Sequence, residues 1–254
     1  MRVAIITEAG ISSRFNEGIP EENKVLKCLY GEEGPKSTLL YHLMKKCSYA
    51  DQIVLVGGYR FEDLCAFYER ELKEEFPNTV LVKNDHFADL NSGYSLCLGI
   101  HKALESEPDE ILFIEGDLDV DDESFEKVIQ SAESVLTYTS EPIYANKAVV
   151  LYQTGDGRYK YAFNSNHGLL QIEEPFSCIL NSGQTWKFTD VNALRKANEE
   201  FEEKEIDGTN LRIIGRYIDS VPKESVRIIK LERWINCNTR EDYRRIASGW
   251  RGSL

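Results

Sequence analysis

The sequence predicts a three-layer α/β/α protein in which a mixed, mainly parallel sheet lies between two layers of helices. Short runs of apolar, β-branched residues alternate with longer amphipathic stretches over residues 1–134. This alternation is typical of strand–helix–strand units, whose parallel strands are buried on both faces. Hydrophobic residues make up 42% of the 254-residue chain, which is enough to build a core of this kind.

The first half of the chain carries a series of predicted strands, each of which ends in a loop. The opening run Val3-Ala4-Ile5-Ile6 is typical of a strand buried on both faces, and it breaks at Gly10. Ser37 or Thr38 can cap a helix that ends at Cys47 and carries an apolar stripe. The other predicted elements are strands at 52–56, 79–82 and 111–114, an amphipathic stretch at 61–75 and a helix at 92–104.

From about residue 135 the pattern changes to shorter strands. They are predicted at 135–139, 148–153 and 159–164, with Gly155-Asp156-Gly157 as a hairpin turn, and short strands continue to about residue 188. Helices at 190–204 and 211–218, a strand at 226–231 and a last helix that opens at Asn238 complete the pattern. We expect a single domain over residues 1–248, with halves at 1–134 and 135–248, and a tail at 249–254.

Composition excludes several classes of function. The net charge of −13 argues against a nucleic-acid partner, because phosphate backbones call for a basic surface. The six cysteines (28, 47, 65, 97, 178 and 237) have no Cys-x-x-Cys spacing and the four histidines have no ligand spacing, so we expect reduced thiols and no zinc site. No signal segment and no apolar run of membrane-spanning length are seen, which predicts a cytoplasmic protein without membrane contact.

The loop after the first strand is the first candidate binding site. A strand that ends in small residues exposes backbone N–H groups, which can bind phosphate oxygens. Arg14 would add a planar cation that can bind a phosphate through two parallel hydrogen bonds. A strand that ends at a glycine turn and binds nothing fits the same residues.

This strand and loop resemble the start of the nucleotidyltransferases with a GT-A-type, Rossmann-like fold, whose loop usually runs Leu-Ala-Ala-Gly-x-Gly-x-Arg. The group includes sugar-phosphate, choline-phosphate and molybdenum-cofactor nucleotidyltransferases. The chain keeps Ala9, Gly10 and Arg14 of this pattern. The resemblance implies that residues 1–134 form the nucleotide-binding half, and that 135–248 form the acceptor-side half with the closing helix.

Three positions depart from the loop pattern, because Thr7 and Glu8 replace Leu-Ala and Ser12 replaces the second glycine. Ser12 is a mild change if its φ stays negative, since only a positive φ demands glycine. A carboxylate at position 8 repels a triphosphate unless it turns toward the base, the ribose or a metal. We predict that Glu8 turns toward the ribose or the base.

A lysine motif follows the loop. Asn23-Lys24-Val25-Leu26 resembles the second motif of the family, Pro-Lys-x-Leu. The resemblance implies that Lys24 neutralises the triphosphate while the α-phosphorus is attacked and charge spreads over the phosphoryl oxygens. Lys36 is a rival for the same motif, and a solvated surface lysine would also fit Lys24.

Asp117 directly follows a predicted buried strand, where open parallel sheets bind their ligands. An aspartate at this place can bind Mg²⁺. The resemblance implies that Asp117 binds the metal that bridges the nucleotide and is catalytic together with Arg14 and Lys24. Asp117-Leu118-Asp119 also fits the Asp-x-Asp of metal-dependent glycosyltransferases, which leaves a nucleotide-sugar donor as an alternative.

Two further segments resemble the choline-phosphate and phosphonate cytidylyltransferase branch, Asn91-Ser92-Gly93 and Gly57-Gly58-Tyr59. In that branch the first segment approaches the base. The implied nucleotide-binding residues are Glu8, Ala9, Gly10, Gly58, Asn91 and Ser92. An ordinary helix cap at Ser92 fits the same residues.

The closing segment supplies the last candidates. Asn238-Thr239-Arg240-Glu241-Asp242 resembles the family's Asn/Asp-Thr-x-Glu-Asp. Members with a second metal contact supply it from the residue before this threonine, so Asn238 is a predicted Mg²⁺ ligand, direct or through water. Trp186 and Lys187 are predicted to face the acceptor, with Lys187 on its phosphate, and core packing fits Trp186 as well.

Together these motifs predict a Mg²⁺-dependent nucleotidyltransferase. A small phosphomonoester or phosphonate would attack the α-phosphorus of a nucleoside triphosphate, with CTP favoured, and pyrophosphate would leave. The alternatives are the glycosyltransferase and a nucleotide-binding module without turnover. We expect no nucleic-acid or membrane partner, and a homodimer is compatible with the sequence.

Overall fold

A mixed β-sheet runs through the middle of the protein, in a computed structural model that describes residues 1–144, 149–164 and 168–251. The strands are β1 (Arg2–Glu8), β2 (Gln52–Gly57), β3 (Thr79–Lys83), β4 (Glu110–Glu115), β5 (Leu118–Val120), β6 (Ser134–Thr139), β7 (Val149–Thr154), β8 (Tyr159–Phe163), β9 (Phe176–Phe188), β10 (Val226–Leu231) and β11 (Trp234–Asn236). The α-helices are α1 (Leu39–Cys47), α2 (Phe61–Phe67), α3 (Ser92–Leu104), α4 (Asp122–Gln130), α5 (Val191–Lys204), α6 (Asn210–Ser220) and α7 (Arg240–Arg251).

The main path of the sheet has the order β10-β6-β9-β4-β1-β2-β3. All its neighbouring pairs are parallel except those that involve β9, which is antiparallel to both β4 and β6. The first part of β9 pairs with β7, and β7 pairs with β8. β5 and β11 form a separate two-stranded antiparallel sheet. The predicted mixed, mainly parallel sheet is therefore confirmed.

β1 lies at the centre of the sheet, and its apolar run divides between two cores. Ala4 and Ile6 pack in one core with residues of α1, α2, α4 and α7, whereas Val3 and Ile5 pack in the other with residues of α3, α5 and α6. All four side chains are fully buried. Successive strand residues point to opposite faces, so a continuous apolar run requires helices on both sides. This packing confirms the three-layer architecture.

Several helices begin at the residues that the sequence predicts. The Thr38 side chain accepts a hydrogen bond from the Tyr41 backbone N–H, and Asp190 accepts one from the N–H of Ala193 in the same way. At the start of α7, Thr239 and Asp242 exchange side-chain-to-backbone hydrogen bonds, which is the reciprocal arrangement of a capping box. None of the helices in the described ranges is long and apolar enough to cross a bilayer.

Some predicted elements differ from the structure. The short strands expected up to residue 188 form one 13-residue strand, β9. Polar residues near a bulge, where β9 pairs with β6, interrupt the apolar pattern of this strand in the sequence. Residues 249–251 belong to α7, whereas positions 148 and 252–254 lie outside the described residues. β5 and β11 were not predicted, because three-residue strands carry no periodicity of their own. All six cysteines are free, as expected.

Candidate active site

The candidate site lies where the carboxyl ends of β1 and β4 meet. β1 ends at Glu8, and β4 ends at Glu115, directly before Gly116 and Asp117. The Gly116 N–H donates to the Thr7 carbonyl oxygen at 3.1 Å, so the two strand ends stay in register. This is the edge of a parallel sheet at which ligands are expected to bind.

The loop after β1 presents backbone donors to this edge. Gly10 and Ile11 are exposed, and within the described residues their N–H groups donate no hydrogen bond. The buried Asn16 side chain holds the loop from behind, since its amide donates to the carbonyls of Ser12 and Val25 and accepts from the Val25 N–H. The loop is therefore held in place while these N–H groups stay free to donate to an anion.

Ser12 has φ of +54°, so the condition under which serine would be a mild change at this position is not met. This left-handed conformation costs a non-glycine residue about 1–2 kcal/mol. The Ser12 hydroxyl accepts a hydrogen bond from the Lys27 N–H at 3.3 Å, which is a contact that glycine cannot make. The serine therefore links the loop to the backbone of Lys27, although its own backbone conformation is unfavourable.

Lys27, not Lys24, reaches Asp117. The Lys27 ammonium donates to Asp117 Oδ2 at 2.8 Å, and both side chains are largely buried. Lys24 points outward and pairs with Glu21 at 2.6 Å, and Lys36 pairs with Glu75. The placement of the lysine motif at Lys24 is corrected accordingly.

The sequence contained a signal for this lysine. Lys27-Cys28-Leu29 has the same Lys-x-Leu spacing as Lys24-Val25-Leu26. A short 3₁₀ turn over Lys27–Leu29 buries Cys28 and directs the ammonium to the sheet edge. Burial alone would lower the pKa of Lys27, but Asp117, helped by Glu8, raises it, so the ammonium stays charged.

Glu8 lies in the floor of the site. Its side chain is 5% exposed, so the prediction that it turns toward a base or ribose in the open cleft is corrected. The carboxyl group lies against Gly116, where any Cβ atom would collide with it. Burial raises the pKa of Glu8 well above its usual value, Lys27 opposes this shift, and Asp117 adds to it.

Two carboxylate oxygens in this floor are suited to a cation. Glu8 Oε1 and Asp117 Oδ1 are buried, and neither has a hydrogen-bond partner among the described residues. In the described part of the chain, no other buried carboxylate oxygen lacks a hydrogen-bond partner. Buried carboxylates are normally paired or bound to metal, and hard oxygen ligands are what Mg²⁺ prefers. The donor set therefore fits Mg²⁺.

Arg14 and Asn238 meet at the same edge, although 224 positions separate them. Arg14 Nη2 donates to Asn238 Oδ1 at 2.7 Å, and the Asn238 amide nitrogen donates to Asn236 Oδ1. The link follows from pairing of β11 with β5, since the Cys237 N–H donates to the Asp117 carbonyl at 2.7 Å. The amide oxygen proposed for the metal is thus engaged by Arg14.

Gly58 lets the end of β2 approach the loop closely. A Cβ atom at this position would lie 3.0 Å from the Ala9 carbonyl oxygen and would collide with Phe87. The neighbouring Tyr59 N–H donates to the same carbonyl at 3.5 Å. Gly58 and Ala9 are therefore adjacent at the rim of the site.

The start of α3 forms the opposite side, together with a polar network that the sequence did not suggest. Asn91 does not cap the helix but donates to the Asp207 carbonyl, and Ser92 Oγ accepts from the Asn210 N–H. The Asn210 side chain donates to Glu115 at 2.6 Å. Burial, with Asp117 adding to it, raises the pKa of Glu115 to about 8. The adjacency of Glu115 to Asp117 was the available signal.

Trp186 and Lys187 are not at the site, so their predicted contact with the acceptor is corrected. Trp186 is fully buried, stacks on Phe113 and donates to the Tyr161 hydroxyl. The Lys187 ammonium is 2% exposed and bonds Glu110 and the carbonyls at 129 and 131. Glu110 begins β4 and Asp117 follows its end, so roughly 20 Å of strand separates them.

Asp119 is also engaged elsewhere. Its carboxylate is 1% exposed, pairs with Arg233 and accepts from the Trp250 indole N–H at 3.1 Å. Asp119, which lies in β5, therefore helps to hold α7 against this strand. The Asp-x-Asp pattern does not form one metal site here.

Comparison with known proteins agrees with this architecture. The family described as a domain of unknown function, DUF6564, matches residues 23–250. No curated protein matches the chain. An inositol-1-phosphate CTP transferase from T. maritima is 16% identical, with a TM-score of 0.67 over 98% of this chain and 95% of that chain.

Two further solved structures are similar. The CTP:phosphocholine cytidylyltransferase of Streptococcus pneumoniae is 16% identical, and HddC of Yersinia pseudotuberculosis, complexed with GMP-PN, is 15% identical. Each has a TM-score of 0.62 and aligns over 98% of this chain and 100% of the other. The fold implied by the sequence resemblance, that of the nucleotidyltransferases, is therefore confirmed.

Replacement of Lys187 by methionine tests its position in the core. Lys187→Met leaves the mostly buried Glu110 and two carbonyls without their donor, so we expect a loss of about 2–4 kcal/mol in the free energy of unfolding. Urea denaturation measures this. The surface variant Lys127→Met, which breaks only an exposed pair with Glu123, should change stability by less than about 0.5 kcal/mol. Unchanged stability in Lys187→Met would contradict the structural role.

Proposed function

The chain belongs to the DUF6564 family, and we propose that it is a Mg²⁺-dependent nucleotidyltransferase. The observation that carries this proposal is the group formed by Lys27, Asp117 and Glu8 beside the open loop amides. A cation and two carboxylates with unpaired oxygens meet at the ligand-binding edge of a parallel sheet. Such a group suits a reaction in which charge develops on phosphoryl oxygens.

Binding of the triphosphate is assigned to the loop and to Arg14. The exposed N–H groups of Gly10 and Ile11 would donate to phosphate oxygens, and the guanidinium would add bidentate hydrogen bonds. Asn238 accepts from one Arg14 nitrogen and so orients the planar group toward the loop. We therefore assign Asn238 to the positioning of Arg14 rather than to a direct contact with metal.

Lys27 is assigned the stabilisation of the transition state. Its ammonium has three donors, one of which is engaged by Asp117. The others can reach the oxygens of the α-phosphoryl group as the acceptor attacks and pyrophosphate leaves. Because the site is largely buried, this charge interaction is stronger than it would be in water.

Asp117 and Glu8 are the residues that would hold Mg²⁺, through the two oxygens that lack partners. When bound, Mg²⁺ neutralises phosphate charge and orients the triphosphate. Glu8 thereby acquires a role that a carboxylate facing the triphosphate could not have. Gly116 supports it, because only a glycine leaves room for the carboxyl group at this depth.

The nucleotide and the acceptor are proposed from chemistry and likeness. CTP is favoured because the Asn91-Ser92 segment resembles that of the cytidylyltransferases, and two similar structures carry names of CTP-using enzymes. The acceptor would be a small phosphomonoester or phosphonate, whose dianion is already a nucleophile at neutral pH. The Asp119–Arg233 pair speaks against a glycosyltransferase with an Asp-x-Asp metal site.

Paired aspartate variants test the metal ligand. Asp117→Asn keeps the shape of the side chain but weakens the ligand, so we expect pyrophosphate release with CTP and phosphomonoester acceptors to fall by about 100-fold or more. CTP binding should persist, since the loop amides and Arg14 remain. Asp119→Asn should instead lower the free energy of unfolding by about 1–3 kcal/mol, with turnover of the folded protein kept. A fully active Asp117→Asn enzyme would refute this mechanism.

The two lysines provide a matched comparison. Lys27→Ala removes a charge that acts in the transition state, so turnover should fall by about 100-fold while the dissociation constant of CTP rises by much less. Lys24→Ala removes an exposed pair with Glu21 and should leave both quantities within about two-fold. Single-turnover kinetics and calorimetric binding separate the two effects. The reverse pattern would restore the original placement of the motif at Lys24.

Glu8 can be tested without activity. Glu8→Gln replaces a buried carboxyl group, whose pKa is raised by desolvation, with an amide that has no ionised form to desolvate, so the variant should melt at a higher temperature than the unaltered protein in EDTA. It should also lose most of the stabilisation that added Mg²⁺ and CTP give the unaltered protein. Glu17→Gln, an exposed change in the same segment, is the control. Equal Mg²⁺-induced stabilisation in both variants would show that Glu8 does not bind the cation.

A further inference from the structure

A second group of ligand-type side chains lies between α3 and α5, on residues that the proposed reaction does not use. Cys97 and His101 are four residues apart on α3, and Asn198 and Glu202 are four residues apart on α5. Residues at this spacing share one helix face. The Cys97 sulfur, a His101 ring nitrogen and a Glu202 carboxylate oxygen all lie within 4.8 Å of one another.

Asn198 gives an independent sign that a ligand belongs here. Its side chain is 1% exposed, yet in the described part of the chain neither its amide nitrogen nor its amide oxygen makes a hydrogen bond. Burial raises the pKa of the Cys97 thiol, and the Asn198 side chain opposes this shift, so the amide lies beside the thiol in the same cluster. A buried amide without partners costs about 1–3 kcal/mol, which a bound ion with its water would offset.

We propose that Cys97, His101 and Glu202 bind one Zn²⁺ ion, with a metal-bound water as the fourth ligand that donates to the Asn198 amide oxygen. Thiolate, imidazole and carboxylate are the ligand types of zinc. Tetrahedral zinc with bond lengths of about 2.0–2.3 Å places its ligand atoms about 3.3–3.7 Å apart, which small side-chain rotations reach from the present spacing. His101 Nε2 and Glu202 Oε2 are already 3.1 Å apart.

The depth of each ligand fits entry of the ion from solvent. The Cys97 side chain is buried at the bottom, whereas His101 and Glu202 are about half exposed at the rim. Binding replaces the S–H bond by a metal–sulfur bond and releases the thiol proton to water. Mg²⁺, which prefers oxygen ligands, would not compete for this nitrogen–sulfur–oxygen set.

The ion would clamp α3 to α5 on the nucleotide side of the candidate site. α3 begins at Ser92, and the segment after α5 contacts it through Gly93 and Gly208, whose N–H and carbonyl lie 3.2 Å apart. Asn210, the first residue of α6, bonds both Ser92 and Glu115. The zinc site is thus a structural support next to the reaction site and does not depend on the proposed reaction.

Cobalt substitution tests the site on the full-length protein after metal removal. One equivalent of Co²⁺ should produce a sulfur-to-cobalt charge-transfer band and tetrahedral visible bands, and Zn²⁺ should displace them. Cys97→Ala and His101→Gln should each remove the charge-transfer band or weaken Co²⁺ binding by at least ~100-fold. Zn²⁺ should raise the melting temperature of the unaltered protein and not that of either variant.

The control is Cys65→Ala, which removes a partly exposed thiol outside the cluster and should leave the spectrum unchanged. His101→Gln changes a half-exposed residue, so it tests the site even if Cys97→Ala does not fold. Absence of a stoichiometric cobalt–thiolate band, or a band that persists in His101→Gln with equal affinity, overturns the proposal. Pyrophosphate release is measured separately, so a failed zinc site and a failed nucleotidyltransferase assignment remain distinguishable.

Discussion

The ion pair between Lys27 and Asp117, with Glu8 beside it, is the interaction on which the candidate site depends. A buried ammonium is tolerated only next to carboxylates, and the burial of Glu8 is tolerated in part because Lys27 opposes its desolvation. The pair ties the segment after the first loop to the end of β4. Gly116 completes the arrangement, since a side chain there would expel the Glu8 carboxyl group. Glu8, which departs from the usual loop sequence, is thus stabilised by Lys27 and given room by Gly116.

The two ends of β4 show how similar chemistry can be structural or functional. At its beginning, Glu110 meets Lys187, whose ammonium is enclosed and bonded to two carbonyls as well. At its end, Asp117 meets Lys27, and here an oxygen of Asp117 and one of Glu8 have no partner in the described chain. A fully bonded buried pair has nothing left for a ligand, whereas an incompletely bonded pair does. Of the two ends of β4, the carboxyl end is the one that meets the second condition.

The sequence by itself determined the elements and the general position of the site. Continuous β-branched runs predicted strands buried on both faces, and the candidate cap Thr38 marked a helix start, because both are local properties of the chain. Asp117 was predicted at the sheet edge because it directly follows a strand. Arg14 and Asn238 were predicted from motifs at opposite ends of the chain, and the structure joins them.

The tertiary structure alone decided which residues meet there. Lys24 and Lys27 stand in motifs of identical spacing. What distinguishes Lys27 is its contact with Asp117, which lies 90 positions further along the chain. The bond between Asn210 and Glu115 and the cluster of Cys97 with Glu202 likewise join residues about 100 positions apart. Such pairs leave no periodic trace, because long-range packing selects which face of each element turns inward. Local sequence encodes strands and helices, and their assembly determines which polar groups are buried together.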